Sequence, residues 1–106
     1  MSEWVVVDAV DAIAQGTSTV VDVDDVMVAV FNINGDFFAV EDVCSHDGGE
    51  IASGCVKGYE LECPRHGARF NIKTGEVLCA PAYEDLETFP IRIVNNTVQV
   101  RDHRWD

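Results

Sequence analysis

Short β-prone segments separated by turn residues constrain the fold of this chain more than any other feature. Valine-rich stretches of about four to eight residues alternate or run apolar throughout, and no segment sustains the hydrophobic period of a helix. The dipeptide Asn34-Gly35 is a strong signal for a hairpin turn, and Asn95-Asn96 predicts a second hairpin near the C-terminus. The sequence therefore predicts an all-β protein of about nine or ten short strands.

The predicted strands are residues 4–7, 17–23, 26–33, 37–40, 55–56, 59–63, 68–71, 89–94 and 97–101. Residues 8–15 predict a single helical turn that stops at Gly16. Residues 26–33 are apolar at almost every position, so this strand is expected to be buried on both faces. We expect one domain over residues 1–106, with an irregular, glycine-rich insertion at about residues 43–82.

The charge of the chain restricts its partners. It has 19 acidic and 7 basic residues, a formal net charge of −12, which opposes binding to nucleic acid or to anionic membranes. This surface suits transient docking on a basic patch of another protein, or simply keeps the chain soluble. No apolar run approaches the roughly 20 residues that a membrane span needs, and the N-terminal segment does not resemble a signal peptide. We expect a cytoplasmic protein whose four cysteines serve metal binding or core packing rather than disulfides.

Two short segments combine a cysteine with a histidine. They are Cys44-Ser45-His46 and Cys63-Pro64-Arg65-His66, and sixteen residues separate His46 from Cys63. Two thiolates and two imidazoles satisfy a tetrahedral zinc ion, and they equally satisfy a two-iron cluster with both thiolates on one iron. The spacing alone does not decide between these metals.

The pattern Cys-x-His followed by Cys-x-x-His resembles the ligand motif of Rieske iron–sulfur proteins. The surrounding Cys-Pro-Arg-His-Gly-Ala-Arg-Phe at 63–70, Thr74-Gly75 and Ala80-Pro81-Ala82 are similar to Rieske-type ferredoxins of bacterial non-haem, aromatic-ring-hydroxylating oxygenase systems. The resemblance extends over about residues 4–100. It implies an antiparallel β-sandwich or barrel base with a small cluster-binding β subdomain.

The same resemblance implies one [2Fe–2S] cluster per chain. Cys44 and Cys63 would hold the inner iron, His46 and His66 would hold the outer iron, and the stretch near Pro81 would cover one side of the cluster.

The histidine count separates a carrier from a complete oxygenase. A complete Rieske oxygenase also needs a mononuclear iron, commonly held by two histidines and a carboxylate, and only His103 remains outside the motif. We therefore expect an electron carrier rather than an enzyme. The resemblance implies a monomer that takes one electron from an NAD(P)H-dependent flavin reductase and passes it to a terminal oxygenase. The alternatives are a Rieske-type subunit of another redox complex, such as a nitrite reductase small subunit or an iron–sulfur-assembly-associated carrier, and a zinc-stabilised binding module.

Several residues outside the ligand set carry further expectations. Cys55 and Cys79 are expected to be buried as small hydrophobic residues, and His103 to be solvated in a polar tail. Asp47, next to His46, is expected either to cap its loop or to stabilise the more positive, oxidised cluster.

Four positions also differ from the pattern of high-potential Rieske proteins. Gly49 and Arg65 stand where those proteins place the two cysteines of a disulfide between their cluster loops. Ala68 and Phe70 stand where those proteins place a serine and a tyrosine, so the resemblance implies a low reduction potential.

Overall fold

Eleven β-strands and one turn of 3-10 helix form the part of the chain that this computed structural model describes, residues 3–44, 48–65 and 67–104. The helical turn is Val10–Ala12. The strands are β1 Val5–Ala9, β2 Ser18–Val23, β3 Val26–Ile33, β4 Asp36–Glu41, β5 Cys55–Lys57, β6 Glu60–Glu62, β7 Arg69–Asn71, β8 Val77–Cys79, β9 Thr88–Phe89, β10 Ile91–Val94 and β11 Thr97–Val100.

The strands form three antiparallel sheets. One sheet has the order β1-β11-β10, the second β2-β3-β4-β9 and the third β5-β6-β7-β8. The predicted turn at Asn34-Gly35 joins β3 to β4, and both residues have positive φ angles of 56° and 89°. Asn95-Asn96 likewise joins β10 to β11 with two positive φ angles. The all-β prediction and both predicted hairpins are confirmed.

The β2-β3-β4-β9 sheet is the middle layer of the molecule. Successive residues of β3 enter different cores: Ala29 and Phe31 pack in one buried cluster, while Val28 and Val30 pack in the other. This alternation arises because neighbouring side chains of a strand point to opposite faces. The prediction that residues 26–33 are buried on both sides is therefore confirmed.

The two cores have different partners. The cluster that contains Val28 and Val30 also holds Val98 and Val100 of β11, so it joins the middle layer to the β1-β11-β10 sheet. The cluster that contains Phe31 also holds Leu61 and Phe70, so it joins the middle layer to the β5-β6-β7-β8 sheet. The second of these cores contains the predicted cysteine ligands.

The structure differs from the prediction in two strands and in the helical turn. β8 was not predicted, because its three residues pair with β7 only across an irregular register and carry no alternation of their own. The predicted strand 89–94 is divided at Pro90 into β9 and β10, which belong to different sheets. Proline has no backbone N–H to donate to a sheet, so it interrupts the ladder. The helical turn is shorter than residues 8–15.

None of the helical residues in the described part of the chain forms a segment long and apolar enough to cross a membrane.

Candidate metal centre

The first cysteine loop follows β4. Cys44 is fully buried, and its amide donates a hydrogen bond of 2.7 Å to the carbonyl oxygen of Gly49. The carbonyl oxygen of Cys44 in turn accepts a hydrogen bond of 2.8 Å from the amide of Gly48. Gly48 has a φ of 75°, a conformation that glycine adopts without strain. These contacts close a tight turn on the cysteine.

The second cysteine loop follows β6 and repeats this arrangement. The amide of Cys63 donates to the carbonyl oxygen of Ala68 at 2.7 Å, and the amide of Gly67 donates to the carbonyl oxygen of Cys63 at 3.3 Å. Gly67 has a φ of 76°. In both loops, therefore, the cysteine donates to the fifth residue after it and accepts from a positive-φ glycine four residues after it. The two cysteine loops therefore share one pattern of backbone hydrogen bonds.

The two cysteines enter the same apolar core. Cys44 is 0% exposed and Cys63 is 2% exposed, and both belong to the core that joins the middle layer to the β5-β6-β7-β8 sheet. In the sequence, His46 lies between Cys44 and Gly48, and His66 lies between Cys63 and Gly67. His46 and His66, together with Asp47, lie outside the described residues.

A carboxylate holds the first loop from its far side. Oδ1 of Asp42 accepts hydrogen bonds from the amides of Ile51 at 2.9 Å and Ala52 at 2.8 Å. Ile51 is fully buried in the same core as Cys44. Asp42 therefore joins the residues before and after the loop. This role was not predicted, because an aspartate after a strand has no local signal that distinguishes it from a turn residue.

The segment that contains Pro81 packs on the same core. The peptide bond between Ala80 and Pro81 is cis, and Ala82 and Leu86 are buried with the two cysteines. The amide of Leu86 donates to the carbonyl oxygen of Gly75 at 2.7 Å. A Cβ at Gly75 would come within 2.2 Å of the Leu86 carbonyl oxygen, so this close approach requires glycine. The Pro81 stretch is therefore fixed beside the cysteine core.

The expectations for the two remaining cysteines meet different outcomes. Cys55 is exposed, so the prediction of burial is wrong for this residue. It begins β5, which is an edge strand of its sheet. Of the three residues of β5, only Val56 packs on the core that contains Cys44 and Cys63. Cys79 is half-buried and contacts the second cysteine loop.

His103 is also not solvated in the way that the sequence suggested. Its ring packs edge-on against Phe89 with centroids 5.8 Å apart, and Nε2 lies 3.7 Å from a carboxylate oxygen of Glu87. In the same segment, the buried carboxylate of Asp102 accepts hydrogen bonds from Nε and Nη2 of Arg104, both at 2.8 Å. The prediction of a solvated tail is therefore wrong for His103.

The described donors fit an iron–sulfur cluster. Two buried cysteines at equivalent positions of two matching loops supply one soft sulfur ligand each, and the apolar core around them excludes water from that side. Among residues 3–44, 48–65 and 67–104, no three His, Cys, Asp or Glu side chains gather into another metal site.

Comparisons with known proteins identify the family. The Rieske [2Fe-2S] domain family matches residues 3–90. The ferredoxin component of the naphthalene 1,2-dioxygenase/salicylate 5-hydroxylase systems of Ralstonia sp. is 32% identical over 98 residues, covering 92% of this chain and 94% of that protein.

Solved structures agree with the sequence matches. A chain in the complex of reduced oxygenase and oxidized ferredoxin in carbazole 1,9a-dioxygenase superposes with a TM-score of 0.87 at 32% identity, covering 92% of this chain and 91% of that one. The ferredoxin of carbazole 1,9a-dioxygenase from Nocardioides aromaticivorans IC177 gives a TM-score of 0.88 at 26% identity, covering 92% and 95%. The predicted resemblance, fold and type of cofactor are confirmed, and the ferredoxin relatives favour an electron carrier over a zinc-stabilised module. The chain belongs to the Rieske [2Fe-2S] domain family.

Proposed function

We propose that this chain takes one electron from a flavin-dependent, NAD(P)H-oxidising ferredoxin reductase and delivers it to the terminal oxygenase of an aromatic-ring-hydroxylating system. The named relatives are ferredoxin components of such systems, and one related chain stands in a complex of an oxygenase with its ferredoxin. The chain is the electron carrier, and the oxygen chemistry belongs to the oxygenase.

The main support for this function is the pattern of backbone hydrogen bonds that the two cysteine loops share. We assign Cys44 and Cys63 as ligands of one iron, and His46 and His66 as ligands of the other. When bound, the [2Fe–2S] cluster supplies a centre that takes up and releases one electron. The buried cysteines would anchor this centre to the core, in which Ala82 and Leu86 after Pro81 are also buried. Under this assignment the electron would leave through the iron that His46 and His66 bind.

The domain organisation and surroundings of the chain follow from the same assignment. We propose one domain over residues 1–106, in which residues 43–82 carry the cluster. We also propose a monomer in the cytoplasm without nucleic-acid or membrane partners. The net charge of −12 opposes binding to polyanionic surfaces such as nucleic acid and anionic membranes.

Ligand assignment is tested by metal analysis of matched cysteine variants. The wild-type protein and Cys55→Ser should contain two irons and two acid-labile sulfides per chain, because the Cys55 thiol is exposed and outside the motif. Cys44→Ser and Cys63→Ser should lose the cluster and also unfold more readily, because binding energy at a metal site contributes to folding. Stoichiometric zinc in place of iron, or loss of iron in Cys55→Ser, would refute the assignment.

Electron delivery is tested by stopped-flow mixing with purified partners. A reductase and NADH should reduce the cluster, and the terminal oxygenase of a naphthalene dioxygenase system should reoxidise it, equally in wild-type protein and Cys55→Ser. Reoxidation by the catalytic subunit of a nitrite reductase, with none by the oxygenase, would establish the other redox complex instead.

A further inference from the structure

Arg65, in the second cysteine loop, reaches across to the first. Its Nη2 donates a hydrogen bond of 2.6 Å to the carbonyl oxygen of Glu50, and its Nη1 lies 3.5 Å from the Glu50 carboxylate. The Arg65 side chain is 34% exposed. One guanidinium therefore contacts both the backbone and the side chain of a residue fifteen positions earlier in the sequence.

The guanidinium also occupies the space beside Gly49. A Cβ built on Gly49 would lie 2.7 Å from Cζ and 2.8 Å from Nη2 of Arg65, closer than side-chain carbons approach in real structures. The φ of Gly49 is not among the positive values, so its backbone conformation suits other residues. A side chain at position 49 would therefore require the Arg65 guanidinium to move away. Gly49 is also the residue whose carbonyl oxygen accepts the hydrogen bond from Cys44.

Glu50 is itself held in place by Ser53. The Glu50 carboxylate accepts hydrogen bonds from the hydroxyl and the amide of Ser53. These bonds, and then the charge of Arg65, lower the pKa of Glu50, so the carboxylate is ionised at neutral pH. Glu50, which Arg65 contacts, is therefore also hydrogen-bonded to Ser53 in the segment after the first loop.

We propose that Arg65 is a positioning residue that clasps the two cysteine loops together and holds them at the spacing that retains the cluster. We call Arg65, Gly49 and Glu50 the Arg65 clasp. The proposal rests on the ligand assignment made above, because it takes both loops to be ligand loops. An exposed ion pair alone contributes little, but a charged donor to a backbone carbonyl makes a stronger hydrogen bond, and the planar guanidinium reaches two acceptors at once.

The test is the rate of cluster loss in excess iron chelator, followed as bleaching of visible absorbance in fully loaded protein. Arg65→Ala should lose its cluster about tenfold faster than wild type, a change of about 1.4 kcal/mol. Arg65→Lys should fall between the two, because an ammonium keeps the charge without the two-pronged geometry. Arg69→Ala is the matched control: its guanidinium lies on neighbouring β7 at 3.9 Å and 4.0 Å from Glu60 and Glu62, and it should bleach at the wild-type rate.

Substitution of Gly49 provides a second, more specific test of the clasp. In Gly49→Ala the new methyl group displaces the guanidinium, so this variant should also bleach about tenfold faster. The double variant with Arg65→Ala should bleach no faster than either single variant, because the clasp is already lost. Glu50→Gln should have a smaller effect, since the backbone carbonyl remains. The electron paramagnetic resonance signal of the reduced cluster should broaden in Arg65→Ala and Gly49→Ala but not in Arg69→Ala.

The outcomes separate this proposal from the proposed function. The clasp proposal would be refuted if the double variant lost its cluster with the product of the two single-variant rate increases, or if Arg65→Ala bleached at the same rate as Arg69→Ala. Either result would leave the ligand assignment intact. Wild-type protein that holds zinc instead of iron would overturn the ligand assignment before any rate is compared.

Discussion

The thiol of Cys79 donates a hydrogen bond to the carbonyl oxygen of Gly67, with Sγ 3.8 Å from that oxygen. Gly67 closes the second cysteine loop, so Cys79 contacts the loop without belonging to the proposed ligand set. Its strand β8 pairs with β7, and Cys79 lies opposite Arg69. The contact ties the segment before Pro81 to the second loop.

Replacement of Cys79 should therefore leave the cluster in place. Cys79→Ser should keep the iron content and visible spectrum of wild type, because a hydroxyl can donate to the same carbonyl oxygen. Cys79→Ala should keep the iron but lower the melting temperature slightly, because the loss of one weak hydrogen bond and a half-buried sulfur costs about 1 kcal/mol. Metal analysis and thermal unfolding provide the measurements, and Cys55→Ser is the exposed control. Loss of iron in Cys79→Ser would show that Cys79 is a ligand.

Much of this architecture was predictable because it depends on local signals. The hairpin at Asn34-Gly35 and the burial of β3 on both faces follow from turn chemistry and from a continuous apolar run. The motif also singled out Cys44 and Cys63, which the structure places in one buried core. These features depend on residues that are near one another in the chain.

The features that escaped prediction depend on long-range packing. Cys55 is exposed because it lies on the face of β5 opposite to Val56, which packs on the core, and the sequence of so short a strand does not reveal which face is covered. His103 packs on Phe89 because the chain returns after β11, and nothing adjacent to His103 in the sequence announces that contact. The approach of the Arg65 guanidinium to Gly49 likewise depends on how close the two loops lie in space, which the sequence does not show.

The carboxylate of Asp42 should be required for the stability of the first loop. Asp42→Ala removes the acceptor of two amide hydrogen bonds, and we expect it to lower the free energy of unfolding by about 2 kcal/mol. Asp42→Asn keeps an acceptor oxygen and should lose less than half of that. Urea unfolding of both variants measures the difference. Equal losses in the two variants would show that the charge, rather than the hydrogen bonds, is the important property.

Because of Asp102, the free energy of unfolding should decrease at acid pH. Hydrogen bonds from Arg104 to this buried carboxylate hold the pKa of Asp102 far below its ordinary value. Because the folded pKa lies below the unfolded one, the ionised carboxylate stabilises the fold fully above about pH 4, and this stabilisation declines as the pH falls below that value. Asp102→Asn should therefore melt lower than wild type at pH 7, and the gap should narrow toward pH 3. A gap that widens on acidification would contradict this account.

The net charge predicts how the rate of association with the proposed reductase depends on salt. A carrier with a charge of −12 should be steered toward a basic surface, and at physiological ionic strength this attraction is screened beyond about 8 Å. Second-order rates of cluster reduction by the reductase should therefore fall as salt is raised from low concentration. Stopped-flow measurements at several salt concentrations provide the test. Rates that stay constant or rise with salt would indicate an apolar docking face instead.

The reduction potential should lie near the bottom of the Rieske range, which extends from roughly −150 to +300 mV. High-potential family members resemble one another in having hydroxyl groups where this chain has Ala68 and Phe70, and both of these residues are fully buried beside the cysteine core. Hydrogen bonds to the cluster sulfurs favour the reduced, more negative form. Without them the reduced state is less stable, so the potential is lower. Voltammetry at pH 7 that gives more than about +100 mV, in the upper half of that range, would contradict the low-potential ferredoxin proposed above.

Restoring one hydroxyl tests the cause of the low potential. Ala68→Ser lies in the second loop, where the Ala68 carbonyl oxygen accepts the hydrogen bond from Cys63. A hydroxyl that favours the reduced state by about 1.5 kcal/mol should raise the potential by about 65 mV, at about 59 mV per 1.4 kcal/mol for one electron. Ala39→Ser is the matched control, because Ala39 is equally buried but belongs to the core on the other face of the middle sheet. If Ala39→Ser shifts the potential as much as Ala68→Ser does, a general effect of buried hydroxyls is responsible, and direct hydrogen bonding to the cluster is not the cause.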